Sequence, residues 1–183
     1  LIKAKADLEK QTKVGNTALT LACQNGHDLC ARALINAGTN IEKANNNGWT
    51  PLMKACSNGH ELCARALIKA GAALEKVNKD SFTALMISCQ NGHELCARAL
   101  IEAKAEIDKV GPQGFTALMF SASNGHDLCA LELIKAKANV NHATPQGHTS
   151  LMVAAQNGHD LCARALIKAK ADLEKQTKVG NTA

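Results

Sequence analysis

Gly-Trp-Thr-Pro-Leu-Met-Lys-Ala-Cys-Ser-Asn-Gly-His-Glu-Leu-Cys-Ala-Arg-Ala-Leu-Ile-Lys-Ala-Gly is the sequence from Gly48 to Gly71. Near copies of it recur on both sides at a constant interval. Each copy contains the motif Asn-Gly-His, and the histidines stand 33 apart, at His27, His60, His93, His126 and His159. A fixed period of this length is typical of a stacked array of small supersecondary units and argues against a single globular core.

The quoted stretch predicts two short helices joined by a tight loop. Thr50 is a suitable N-cap because its hydroxyl can accept a hydrogen bond from an unpaired backbone N–H, and Pro51 suits the first helical position. The first helix is expected to run from Pro51 to about Ser57, where an Asn-Gly pair breaks it. The second helix begins near the histidine, carries Glu61 in its first turn and runs to Ala70.

The second helix of each copy is amphipathic, so another layer must cover its apolar face. In the copy before the quoted one, the polar face carries Asp28, Arg32 and Asn36. The apolar face opposite is predicted to comprise Leu29, Cys30, Ala33, Leu34 and Ala37.

These residues resemble the ankyrin repeat. Gly48–Leu52 opens the unit, Ala55 and Cys56 stand where the family has a pair of alanines, and Gly59–His60 joins the two helices. The resemblance covers the whole chain. It implies an all-α fold, an ankyrin-type helix-loop-helix solenoid with hairpin turns between repeats.

The expected organisation is a single array over residues 1–183. The chain is 46% hydrophobic but only 2% aromatic, and small residues suit thin layers that approach closely. The array is divided into a partial repeat (1–14), five full repeats (15–47, 48–80, 81–113, 114–146, 147–179) and the start of another (180–183).

A lysine replaces the glycine that ends the second helix in several copies. Gly38 and Gly71 keep the glycine, whose left-handed conformation terminates such a helix. A lysine in that conformation costs about 1–2 kcal/mol, so the lysine copies are expected to end differently or less stably. The lysines are Lys5, Lys104, Lys137 and Lys170.

The net charge of +5 does not form a basic patch. Acid and base recur at i,i+4 spacing on the second helices, acid first, which is the favourable order. One tryptophan and three phenylalanines offer few platforms for base stacking, so no nucleic acid is expected as a partner. The spaced pairs are Asp28/Arg32, Glu61/Arg65, Glu94/Arg98 and Asp160/Arg164.

The eight cysteines are predicted to be free core thiols that act as small hydrophobes. Equivalent helices in adjacent layers lie about 8–10 Å apart, whereas a disulfide needs Cα atoms within about 7 Å. No Cys-x-x-Cys occurs, so no metal is expected. Five cysteines lie on second helices (Cys30, Cys63, Cys96, Cys129, Cys162) and three on first helices (Cys23, Cys56, Cys89).

No enzymatic activity, catalytic residue or cofactor is predicted. The sequence contains no recognisable nucleophile–base pair, no glycine-rich phosphate loop and no paired carboxylates of catalytic type. Layers about 10 Å apart cannot share one metal between their histidines at ligand distances near 2 Å. The resemblance implies that the Asn-Gly-His histidines make structural hydrogen bonds between loops.

The sequence contains no membrane-spanning candidate, because no apolar run approaches the required length of about 18 residues. It begins at Leu1 without methionine, so a fragment or a processed product is expected. Free cysteines and the absence of Asn-x-Ser/Thr sites favour a cytoplasmic location, although the sequence leaves the compartment open.

One interpretation is an intracellular scaffold that binds a protein partner. The residue after each turn glycine, or after Ser81 in the third full repeat, forms a column in which three of the four aromatic side chains fall, and ankyrin-like geometry implies that this column lies on the concave hairpin side. Aligned aromatic residues can anchor a partner, or each ring can merely cover its neighbour. The candidate contact residues are Trp49, Phe82, Phe115 and His148.

The other interpretation, preferred from the sequence, is a structural array that forms filaments. Residues 1–18 and 166–183 are identical at 18 of 18 positions, at an offset of 165, which is five times 33. The expected partners are copies of the chain or a continuation of the same array, because no polar capping repeat is recognisable. Candidate end-to-end stacking residues are Leu1, Ile2, Leu161, Leu166, Thr182 and Ala183.

Overall fold

The computed structural model describes residues 6–180 and 182, in which ten α-helices pair into five helix-loop-helix units. The predicted all-α class is confirmed, and the one β-bridge in this part of the chain joins Ala143 and Thr149. The first helices are α1 (Ala18–Gln24), α3 (Pro51–Ser57), α5 (Ala84–Gln90), α7 (Ala117–Asn124) and α9 (Ser150–Gln156). The second helices are α2 (Asp28–Asn36), α4 (Glu61–Lys69), α6 (Glu94–Glu102), α8 (Asp127–Lys135) and α10 (Asp160–Lys168).

Every first helix begins at a threonine N-cap. The Thr50 hydroxyl accepts a hydrogen bond from the Met53 N–H at 3.2 Å, as the sequence predicts, and Pro51 occupies the first helical turn. Helices that lack the proline begin at the same place, because the cap alone satisfies one of the unpaired N–H groups. The capping residues are Thr17, Thr50, Thr83, Thr116 and Thr149.

The second helices all end in the same way, whether the residue after the cap is glycine or lysine. Gly71 has φ +87° and donates to the Ile68 carbonyl at 3.0 Å, while Lys104 has φ +69° and donates to the Ile101 carbonyl at 3.0 Å. Lys137 and Lys170 are also left-handed. The prediction of a different ending is therefore wrong for these lysines, and Lys5 lies outside the described residues.

The helices form two layers with different burial. Residues Ala84–Cys89 of the first helix α5 are all buried, whereas the second helix α6 buries only Cys96, Ala97, Ala99 and Leu100. Small side chains on this buried face allow the second helices to pack closely on the first.

The apolar face predicted for α2 is wrong in part. Leu29 is 77% exposed and Cys30 and Ala33 are also exposed, while Ala31 is the fully buried residue of this helix. The buried stripe of the second helices thus keeps the predicted cysteine and leucine positions, excludes the position of Leu29 and adds the alanine after the cysteine. It includes the cysteine, the alanine after it and the leucine of each Cys-Ala-x-x-Leu segment, as in Cys63, Ala64 and Leu67.

Hydrogen bonds to side-chain oxygens tie each connecting turn to the next, and the oxygen is a carboxylate everywhere except at Asn141. Glu42 accepts the Ala73 N–H at 2.7 Å through one oxygen and pairs with Lys76 at 3.0 Å through the other. Glu9 makes the corresponding bond to the Asn40 N–H at 2.8 Å. In each case a side chain of one connecting turn accepts the backbone N–H of a residue in the following turn.

Replacing Lys104 and Lys137 by glycine should stabilise the protein. Glycine adopts a positive φ without the steric cost that a lysine Cβ carries, so the double variant should gain roughly 1 kcal/mol in free energy of unfolding. Chemical denaturation followed by far-ultraviolet circular dichroism measures this gain. The reverse substitution Gly71→Lys is the matched control, because a Cβ there meets no atom within 4 Å and its loss reports backbone strain alone. Unchanged stability in all variants would contradict the argument.

Candidate functional site

The candidate contact column lies at the base of successive turns. The Asn78 side chain accepts the Phe82 N–H at 2.9 Å, and the Asn78 N–H donates to the Phe82 carbonyl at 3.1 Å. In a later repeat Thr144 replaces the asparagine and accepts the His148 N–H at 3.2 Å. These bonds fix the backbone of each column residue at the edge where the turn joins its first helix.

A fourth aromatic residue, Phe120, lies outside the column and packs against it. The Phe120 ring lies 5.0 Å from that of Phe82 and 5.3 Å from that of Phe115, both in tilted geometry. In an earlier repeat Lys54 occupies the same position on its helix, and its Nζ lies 4.5 Å above the Trp49 ring. Burial lowers the pKa of this lysine. The column residues Trp49, Phe82 and Phe115 are half-buried, so each ring both packs within the chain and presents an outer edge.

Sequence reasoning missed Phe120 because it compared only the residues that follow the turn glycines. A second column, five residues later, contains the packing partners of the first. Its members recur at the period of the repeat and are largely apolar: Leu21, Lys54, Ile87, Phe120 and Val153.

A cleft of about 440 Å³ opens between the turns that precede α7 and α9. Phe115 and Gln113 come from one turn, His148 and Gln146 from the next, and the helices α7 and α9 form the floor. A second cleft of about 550 Å³ continues from the His148 side toward the last described residues. The remaining floor and wall residues of the first cleft are Ser123, Thr144, Val153, Gln156 and Asn157.

Two prolines remove a backbone hydrogen bond between turns near this cleft. The Lys79 N–H donates to the Asn47 carbonyl at 3.1 Å, and the Lys178 N–H donates to the Gln146 carbonyl at 3.0 Å. Pro112 and Pro145 occupy the same place in their repeats as these two lysines, and neither has an N–H to donate. The bond is therefore missing between the two turns that border the cleft, and His142 connects them instead, with its Nε2 2.9 Å from the Gly114 carbonyl oxygen.

The Asn-Gly-His histidines bind the loops of successive repeats together, as the resemblance implied. The His93 Nε2 lies 3.0 Å from the carbonyl oxygen of Ser57 in the preceding repeat. A Cβ on Gly59 would stand 2.6 Å from the His93 Nδ1, so this loop glycine makes room for the ring. The same bond recurs from His60, His126 and His159.

The constant asparagine before each Gly-His pair also has a structural cause. The Asn91 Nδ2 donates to the Ser57 carbonyl at 3.0 Å, and the Asn157 Nδ2 donates to the Ser123 carbonyl at 2.9 Å. Asn58 and Asn124 donate instead to the Lys54 and Phe120 carbonyls of their own helices, so this asparagine serves either the preceding loop or the end of its own helix.

The cysteines are free, and all except Cys30 are buried. Within the described residues no cluster of three or more His, Cys, Asp or Glu side chains could hold a metal ion. The sequence argument compared equivalent cysteines of adjacent layers and so missed a closer relation. The Cys96 thiol on the second helix of the next repeat, together with burial, raises the pKa of the Cys56 thiol on a first helix.

Charged side chains cover the second helices. The predicted i,i+4 pairs form, with Glu61–Arg65 at 2.7 Å and Asp28–Arg32 at 3.6 Å, and Glu94–Arg98 and Asp160–Arg164 are also paired. Arg65 also reaches Glu102 of the next repeat at 2.9 Å. Such exposed pairs contribute little to stability, about 0–1 kcal/mol each, but they balance the charge of this face.

An exposed row of leucines runs beside these ion pairs. One leucine follows the acidic residue at the start of each second helix, and each is at least 46% exposed. The row contains Leu29, Leu62, Leu95, Leu128 and Leu161.

The candidate stacking residues have different environments. Leu161 is 59% exposed and Thr182 is exposed, whereas Leu166 is fully buried in the core and cannot contact another copy without rearrangement. Leu1, Ile2 and Ala183 lie outside the described residues. Leu166 is therefore removed from the candidate set.

Comparison with known proteins defines the class. A model of ankyrin repeats in three copies matches residues 1–78, 37–110, 70–144 and 103–177. The chain belongs to the ankyrin repeat family. Among solved structures it is similar to the ankyrin repeat domain of Bcl-3, described as a unique member of the IκB protein family. The two share 26% sequence identity over 98% of this chain and 81% of that one, with a TM-score of 0.89. A comparison with curated proteins gives no significant match.

None of the helices in residues 6–180 has the length and apolar character needed to cross a membrane.

Proposed function

We propose that the protein is an interaction module that binds a peptide segment of a partner protein in the cleft beside Phe115 and His148. The observation that carries this proposal is the cleft of about 440 Å³ that Phe115 and His148 of the contact column line together. Its volume falls within the range of about 300–1,000 Å³ found for ligand pockets.

The lining of the cleft indicates the chemistry of the segment. Phe115 and Val153 supply apolar surface, while the side chains of Gln146, Gln156 and Asn157 supply amide donors and acceptors. The described lining contains no Asp, Glu, Lys or Arg. This composition suits an uncharged segment that inserts one large apolar side chain and hydrogen-bonds through its backbone.

The aromatic cluster supports rigidity at this site. Phe115 is held against Phe120, which in turn contacts Phe82, so the apolar wall is positioned before a partner arrives. A preorganised aromatic anchor loses less conformational entropy on binding than a mobile one. The charged outer face, by contrast, has its ion pairs satisfied within the array.

A phage-displayed library of random peptides tests the proposal. Peptides enriched on the immobilised protein should carry a large apolar residue, and their amide shift perturbations should centre on Phe115, His148 and Gln156. Affinity for the double variant His148→Ala/Gln156→Glu should fall at least about tenfold, because hot-spot contacts are worth about 1.4 kcal/mol or more.

The matched control is Lys69→Gln, an exposed change at the end of a second helix. It should leave the affinity of the enriched peptides unchanged. The absence of any enrichment, or equal binding to the double variant and the wild type, would contradict the assignment of the cleft.

We also propose, as a second candidate, that the chain is part of a longer periodic array. The observation that favours this function is the identity of residues 1–18 with 166–183, 18 of 18, at five times the basic period. With layers about 10 Å apart, five repeats advance about 50 Å along the local path. A head-to-tail contact of this kind gives a ring if the rotation closes and a fibre if it does not.

Electron microscopy and light scattering test the array. The protein should form filaments or curved solenoids with a repeat of about 50 Å along the local solenoid path. Leu161→Arg should weaken their assembly, because it replaces an exposed leucine by a charged side chain. Discrete particles with the 19.3 kDa mass of one chain at high concentration would contradict the array, while leaving the peptide-binding proposal intact.

A further inference from the structure

One interval on the outer face departs from the pattern of satisfied ion pairs. Within the described residues, the Arg32 side chain of α2 pairs only with Asp28 of its own helix, at 3.6 Å. It has no acidic partner on α4, the next second helix along the array. Two later arginines do bridge from one second helix to a glutamate of the next: Arg65 to Glu102 at 2.9 Å, and Arg98 to Glu132 at 3.3 Å.

The sequence of α4 explains the missing bridge. Lys69 stands at the repeat position of Glu102, and Ala66 stands at that of Glu132. The two positions of α4 from which a glutamate could reach Arg32 therefore carry a positive charge or none. Lys69 is exposed, and it takes part in no ion pair within the part of the chain that the structure describes.

A groove of about 470 Å³ opens between α2 and α4 at this place. Ile35 and Ala66 are half-buried and supply apolar surface to it. Arg32, Arg65 and Lys69 are exposed and line it with cationic side chains. The described lining contains no Asp or Glu, so the groove combines an apolar surface with unopposed positive charge.

The array balances the three cationic side chains to different extents. Arg65 lies 2.7 Å from Glu61 and 2.9 Å from Glu102, so its guanidinium has a carboxylate on either side. Arg32 has one longer contact within its own helix, and exposed pairs of this kind are weak. Because Lys69 has no acidic partner, it and Arg32 are the two cations that remain for a ligand.

We infer that this groove binds an acidic segment of a partner protein. A carboxylate of the segment takes the place with Arg32 that Glu102 takes with Arg65 one repeat later, so the array itself shows which chemical group fits there. Arginine binds carboxylates through charge-assisted hydrogen bonds, which are stronger than those between neutral groups. Lys69 adds a second positive charge on the opposite helix.

The lining of the groove favours a peptide over a nucleic acid. An aliphatic side chain next to the acidic residue of a peptide would cover Ile35 and Ala66, whereas a sugar–phosphate backbone offers no apolar group for them. No aromatic side chain of the described lining could stack on a base. The groove lies between second helices, apart from the cleft beside Phe115, so this inference does not depend on the function proposed for that cleft.

A displayed library of peptides that carry Asp or Glu beside Leu, Ile or Val tests the inference. Peptides enriched on the immobilised protein should perturb the amide shifts of Arg32, Ile35 and Lys69 and bind at one site per chain. Fluorescence anisotropy should show that their affinity falls as salt screens the exposed charges. Replacing their acidic residues by the corresponding amides should lower the affinity at least about tenfold.

Three charge changes make the test specific. Lys69→Glu supplies the carboxylate that Glu102 supplies to Arg65, so it should close the groove and lower the affinity at least about tenfold. Glu102→Lys removes the bridge between α4 and α6 and should raise the number of sites from one to two. Lys168→Glu is the matched control, because it changes the same repeat position of α10, where the preceding second helix has Leu131 in place of the arginine. It should leave the affinity unchanged.

Circular dichroism verifies that the three variants are folded. No enrichment, equal affinity of the wild type and Lys69→Glu, or a single site in Glu102→Lys would overturn the inference. Displacement of the peptides by an equal concentration of a single-stranded oligonucleotide would also overturn it. The enriched peptides should still bind the cleft variant His148→Ala/Gln156→Glu, and loss of their affinity there would assign them to the cleft and contradict this site.

Discussion

The whole architecture depends on the burial of each second helix against its own first helix and the adjoining layers. A nine-residue helix such as α6 is too short to be stable alone, because helix nucleation is costly and few hydrogen bonds follow it. Cysteine, alanine and leucine on its inner face are small enough to let the layers approach. The His93–Ser57 bond and the Glu42–Ala73 bond then fix the spacing of the loops and turns on either side.

This regular frame leaves a few positions free to vary, and the candidate site consists of them. The threonine cap, the loop histidine and the asparagine each satisfy a backbone group, so they recur in every full repeat. The side chain of the residue after the turn glycine is not needed to satisfy a backbone group, and this residue varies from Asn16 to Trp49 to His148. At Phe115 and His148 this variation coincides with partial exposure beside a cleft, which is the combination expected of a recognition surface on a rigid scaffold.

The fold could be predicted from the sequence because the repeat period, the helix N-caps and the helix-breaking residues indicate the same helix boundaries in each repeat. The bounds of the first helix at Pro51–Ser57 follow from local chemistry alone. The endings at Lys104 and its equivalents could not be predicted, because stacking imposes a left-handed residue against its intrinsic cost. Leu29 was misplaced because helical periodicity gives a stripe without saying which flank faces the neighbour. The packing of Phe120 and the effect of Cys96 on Cys56 relate residues at different positions of the repeat. They could not be predicted, because a search at the repeat period compares only equivalent positions.

The central claim is that stability comes from the covering of one layer by the next. Native-state hydrogen exchange tests it most directly by comparing α6, which buries four residues, with α2, which buries Ala31 alone. The α6 amides should exchange at least about tenfold more slowly than the α2 amides, because local opening of α6 must break more buried contacts. Equal protection of the two helices would contradict it.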